Sequence, residues 1–129
     1  MNFALAKLLC TSRGGKLAAF ETENEYNKFA DMFYDRLDFN QDAYIALKDK
    51  YPNGSVQQWD TGDPSTYSRL AAGQPDDFGH DCYIMKASGS HEWYDENCAV
   101  LRNYICEKGL NYLYLFLWSL SNFYRSKSN

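Results

Sequence analysis

No stretch of this sequence concentrates lysine or arginine: 13 basic residues stand against 17 acidic ones, for a net charge of -4 across 129 residues. A protein that neutralises a row of phosphates needs the opposite balance, so nucleic acid is excluded as an expected partner. Histidine is scarce as well, with only two. Neither His80 nor His91 belongs with a serine or cysteine in a nucleophilic motif of known mechanics, and no enzyme is expected. Long apolar runs are also missing. The richest, Leu110 to Tyr124, contains Asn111 and Asn122 and falls short of the roughly 20 apolar residues that a spanning helix needs, so membrane association of this tail is not the expected outcome. Met1 to Cys10 holds one apolar stretch broken by Lys7, without a small-residue cleavage site, and no signal peptide is assigned.

What is present suits one globular core. The chain is 45% hydrophobic and 17% aromatic, enough to bury a single domain. Its four cysteines, Cys10, Cys82, Cys98 and Cys106, lie too far apart for paired Cys-x-x-Cys zinc ligation. Disulfides are the better reading, with three connectivities open, and they imply an oxidising compartment.

Along the chain, Phe3, Ala6, Leu9 and Cys10 share a helical face, with Asn2 as cap and Gly14-Gly15 as stop. Lys16 to Phe20 reads as a short strand. Thr22 to Glu25 has the Thr-x-x-Glu form of a capping box, and a second helix follows with Tyr26, Phe29, Ala30, Phe33 and Leu37 at helical spacing. Ala43 to Leu47 reads as a buried strand. From Lys48 to Asp81 the chain is rich in Gly and Pro with little periodicity and reads as mostly loop, the first place to look for a binding surface. Asp81 to Ala87, Glu92 to Asp95 and Asn103 to Glu107 read as strands. The expected fold class is α+β, with two early helices and a mainly antiparallel late sheet. In the tail, Tyr112, Tyr114, Phe116 and Trp118 alternate with Leu113, Leu115 and Leu117. That period favours a strand turned back through Lys108 to Asn111 onto Asn103 to Glu107.

Taken in order, these residues resemble the C-type lectin family. Phe3, Ala6 and Cys10 fit its first helix, Gly14 to Ala18 and Glu25 its next strand and helix, and Tyr44-Ile45-Ala46-Leu47 its Trp-Ile-Gly-Leu segment. Trp59, Gly62, Tyr67, Gln74-Pro75-Asp76, Cys82, Trp93-Tyr94-Asp95, Cys98 and Cys106 complete the series. The resemblance implies a C-type lectin-like domain over residues 1–108, beginning at the first helix without the strand that precedes it in the family, and a C-terminal extension over 109–129. It also implies the pairing Cys10 with Cys106 and Cys82 with Cys98, and an extracellular or secreted setting.

Gln-Pro-Asp is the family's galactose-type loop. Calcium is a hard cation that takes six to eight oxygens, which neighbouring loops supply while also meeting sugar hydroxyls. By resemblance Gln74, Asp76 and Asp95 are the metal and sugar ligands, and Phe78 offers a ring to the sugar's apolar face. Two family oxygens are replaced, one by Tyr94 and one by His80, so calcium binding is expected to be weak. A transition-metal site on His80, Asp76, Asp77 and Asp81 is disfavoured, because one short loop seldom closes such a site. The implied function is a galactose-type glycan-recognition domain with a partly degraded calcium site. The alternatives are a calcium-independent module for a protein ligand and an incomplete, non-functional product.

Overall fold

The computed structural model describes residues 1–33, 42–51, 54–76, 79–87, 90–108, 112–116 and 122–126. Helix α1 spans Phe3–Ser12; Asn2 caps it by accepting from the Leu5 amide at 2.9 Å, and Phe3, Ala6 and Cys10 form its buried face. Gly14 ends it with φ at 80°, a left-handed conformation that a side chain resists. Strand β1, Lys16–Leu17, is shorter than the run to Phe20 expected from sequence. The next residues still bond across, since the Ala18 amide donates to the Ile105 carbonyl and the Ala18 carbonyl accepts from Ala46, both at 2.8 Å.

Helix α2 spans Glu23–Phe33. The Glu25 amide donates to Thr22 Oγ1 at 3.1 Å, and Glu25 Oε2 accepts from the Glu21 amide at 3.1 Å. The reciprocal cap therefore exists, with its return bond made one residue before Thr22. Tyr26 and Phe29 are buried; Leu37, expected on the same face, lies outside the described residues.

Strand β2, Ala43–Asp49, is the hub of the sheet. It pairs antiparallel with β3, Gln57–Trp59, and with β4, Cys82–Met85, and parallel with β6, Asn103–Lys108. β5, Trp93–Glu96, completes the hairpin with β4. β3 stands inside the segment read as mostly loop; three residues give too short a run for alternation to show, and only Trp59 is buried. β7, Tyr112–Phe116, pairs antiparallel along β6, with Cys106 opposite Tyr114, and β8, Asn122–Ser126, pairs outside it. The alternation in the tail thus does form a strand on β6, whereas Leu117 and Trp118 lie outside the described residues. The result is a mixed, mostly antiparallel sheet with two helices, and among the described residues no helix is long and apolar enough to cross a membrane.

Both disulfides are present with the implied pairing, Cys10 to Cys106 and Cys82 to Cys98, at Cα separations of 5.5 and 5.2 Å. The first pins α1 to β6, and Gly15 completes that contact: a Cβ there would collide with the Glu107 carbonyl. Alongside, Glu107 Oε1 accepts from the Ala19 amide at 2.7 Å in a buried position. Gly15→Ala is therefore expected to cost about 1–3 kcal/mol through backbone displacement at a packed crossing, read as a lower denaturant midpoint at unchanged slope.

His91 is 3% exposed, with φ at 55°, edge-on to Phe29 at 6.3 Å. Burial, then the charge of Arg69, lowers its pKa below the ordinary 6.5. The folded state therefore resists a proton that the unfolded chain accepts. The sign follows: stability holds above the ordinary histidine value and falls as pH drops below it. Between about pH 7 and pH 5.5 the protein is expected to lose stability with a slope that His91→Asn removes, asparagine tolerating the positive φ. Chemical denaturation at stepped pH measures it; parallel slopes for the two proteins would reject the assignment.

Candidate functional site

The loop between β3 and β4 crosses back over β5 before it reaches the Gln-Pro-Asp segment. It is fastened to Trp93 on both sides of the peptide: the Trp93 amide donates to the Arg69 carbonyl at 2.9 Å, and the Ala71 amide donates to the Trp93 carbonyl at 3.0 Å. Trp93 itself is fully buried, edge-on to Trp59 at 5.5 Å and to Tyr67 at 6.1 Å. Arg69 adds a second fastening. Its guanidinium lies 3.7 Å over the Tyr26 ring of α2 and donates to the Ser90 carbonyl, which also accepts from the Tyr26 hydroxyl at 3.2 Å.

From this anchor the chain turns through Gly73, with φ at 84°, and the Gln74 amide donates to the Ala71 carbonyl at 3.0 Å. The Gln74-Pro75 peptide is cis. Gln74 Oε1 then accepts from the Asp95 amide at 3.0 Å, and Asp95 Oδ2 accepts from the Asp76 amide at 3.1 Å. The structure thus brings Gln74, Asp76 and Asp95 together from two segments. Asp95 is 8% exposed on β5, while Asp76 is exposed.

Beneath them a second carboxylate is drawn in. Asp95 stands opposite Tyr83 in the β4–β5 register, and the Tyr83 hydroxyl donates to Asp49 Oδ1 at 2.7 Å. Burial raises the Asp49 pKa, partly offset by the Tyr83 and Gln57 hydrogen bonds, with the Asp81 charge adding to the rise. Tyr83 is also raised, by burial first and then by Asp49. Sequence reading missed Asp49 and Arg69. A lone acid after a buried strand and a lone arginine in a loop carry no spacing signal; only the fold shows what they touch.

The remaining candidates sit differently. The regular pairing of β4 with β5 puts Tyr94 on the face opposite Asp95, where its ring lies 5.0 Å from Lys86 Nζ, itself 3.3 Å from Asp42. His80 is half-buried just before β4. Phe78 and Asp77 lie outside the described residues. As a donor set, Gln74, Asp76 and Asp95 are oxygen-rich, which suits calcium, but they offer three side chains against six to eight oxygens. Among the described residues no group of three or more His, Cys, Asp or Glu is arranged to hold a metal ion.

The fold has counterparts. Collectin-10 of Gallus gallus is 34% identical over 108 residues, covering 82% of this chain, although this chain spans only 38% of that protein's length. The galactose-specific lectin nattectin of Thalassophryne nattereri is 27% identical over 112 residues, covering 85% of this chain and 69% of its own. The carbohydrate-recognition domain of the mouse scavenger receptor C-type lectin superposes with a TM-score of 0.70 at 30% identity, over 83% of this chain and 80% of that one. The profile of the lectin C-type domain matches residues 1–108, and this chain belongs to that family.

Proposed function

We propose that the chain recognises a galactose-type sugar through Gln74, Asp76 and Asp95, outside the cytosol and without catalysing a reaction. The observation that carries this reading is the mutual hydrogen bonding of the three residues at 3.0 and 3.1 Å, which presents an amide and two carboxylates within one patch. The carboxylates accept from sugar hydroxyls, and the amide NH2 can donate to them. The galactose-specific name of nattectin, a relative over most of this chain, supports the same sugar class. Phe78 is assigned to the sugar's apolar face from its place in the sequence. The two disulfides, with no free cysteine among the described residues, fit an oxidising setting.

Calcium is held weakly in this reading. Tyr94 and His80 stand where the family has oxygen ligands, and Gln74 Oε1 and Asp95 Oδ2 already accept from backbone amides. The same engagement favours a second reading, a calcium-independent module for a protein ligand, because the loop holds its shape through protein hydrogen bonds alone. Galactose affinity in the millimolar range, about -4 kcal/mol, is expected, and amide chemical shifts of Gln74, Asp76 and Asp95 should move on titration with galactose and calcium. A folded chain whose shifts stay fixed at saturating sugar would overturn the galactose reading and leave the protein-ligand one. Tyr94→Asn together with His80→Glu is expected to tighten calcium at least about tenfold, ~1.4 kcal/mol by calorimetry. Tyr94→Asn alone should do little, since residue 94 lies across the sheet from Asp95.

A further inference from the structure

The turn that joins β2 to β3 reaches the Gln-Pro-Asp loop. Gly54 is buried with φ at 72°, and a Cβ added to it would lie 3.5 Å from Pro75 Cγ and 3.6 Å from Asp49 Oδ2. The left-handed φ is what favours glycine here, and the turn lies in van der Waals reach of Pro75. The turn is itself closed: the Gly54 amide donates to the Tyr51 carbonyl at 3.0 Å, the Gln57 side-chain amide to the Gly54 carbonyl at 2.9 Å, and the Lys50 amide to the Val56 carbonyl at 2.8 Å.

On this closed turn stand two large apolar side chains in water. Tyr51 is 48% exposed and Val56 is 42% exposed, and Lys50 Nζ lies 5.5 Å from the Tyr51 ring. Single exposed hydrophobics are ordinary, as Leu101 is here. A ring at Tyr51 and a branched aliphatic side chain at Val56, on either side of the Gly54 contact with Pro75, are placed differently. They offer an apolar surface with low ordering cost beside a polar patch.

We propose that the β2–β3 turn is an apolar subsite continuous with the Gln74-Asp76-Asp95 patch, and that it takes an uncharged aromatic or alkyl substituent carried by a galactose-type ligand. This rests on the galactose reading above. Charges of both signs favour an uncharged group: the acids on the loop side, Asp49, Asp76, Asp81 and Asp95, disfavour an anion, and Lys50 Nζ, 5.5 Å from the Tyr51 ring, disfavours a cation. The Tyr51 ring supplies an aromatic face and Val56 the aliphatic margin.

Titration of the full chain with methyl and phenyl galactosides, both α and β, tests it, followed by amide and ring shifts with calcium present. At least one phenyl galactoside is expected to bind about five- to tenfold tighter than its methyl counterpart, with shifts at Tyr51 and Val56. Tyr51→Ala should remove that gain and leave methyl galactoside affinity unchanged; Val56→Ser should reduce it. Both residues are exposed, so both variants should keep the far-ultraviolet dichroism and midpoint of the parent. If phenyl and methyl galactosides bind equally, or Tyr51→Ala keeps the full gain, the subsite is overturned while the galactose patch stands. If no galactoside binds, the patch reading falls and the subsite with it.

Discussion

The burial of Trp93 is the constraint on which the loop region depends. Its side chain fills the space between Trp59 of β3 and Tyr67 of the crossing loop, and it is fully buried. Trp93 stands opposite Met85 of β4 in the register, and both its backbone N–H and its C=O point the other way, to Arg69 and Ala71. β5 would otherwise be an open edge of the sheet, and the loop covers it. Truncating a buried tryptophan typically costs about 3–5 kcal/mol, a large part of the stability of a domain of this size. The loss would fall on the loop first, because Arg69 and Ala71 are bonded to Trp93 itself.

The site inherits its shape from that attachment. Two residues beyond Trp93 on the same strand, Asp95 meets the loop again, so the Gln74 and Asp76 bonds repeat at 3.0 and 3.1 Å what Arg69 and Ala71 do higher up. The loop is therefore laced to β5 at two levels, the lower one through side chains able to bind ligand. In the proposed function, recognition and loop attachment share the same oxygens. Below them the Tyr83 to Asp49 bond at 2.7 Å runs from β4 to the end of β2, beside the turn that carries Gly54.

Much of this was legible in residue order. The α1 face, the Thr22 cap, the two disulfides and the strand in the tail each leave a pattern, whether helical spacing, a capping box, cysteine placement within the family series or period-2 alternation. What stayed hidden shares a physical cause. β3 is three residues long, below the length at which alternation can be read. The attachment of residues 69–71 runs through backbone amides, which every residue has. Tyr94 could be recognised as a departure from the family pattern, yet not as a residue on the far side of the sheet, because that follows from register alone. The resemblance grouped Gln74, Asp76 and Asp95, which the fold does bring together; their hydrogen bonds to one another left no sign in the sequence.

The Cys10–Cys106 bridge spans 96 residues, and β1 pairs with the same strand, Lys16 opposite Glu107. The first helix is thus bridged to β6 and the first strand paired with it, far along the chain from both. A nascent chain emerging from the ribosome must carry the Cys10 thiol unpaired until residue 106 is outside. Cys82 and Cys98, 16 residues apart, meet no such delay. The local bridge can therefore oxidise first, and the long one closes only after residue 106 has emerged, leaving Cys10 the longer exposed to a wrong thiol.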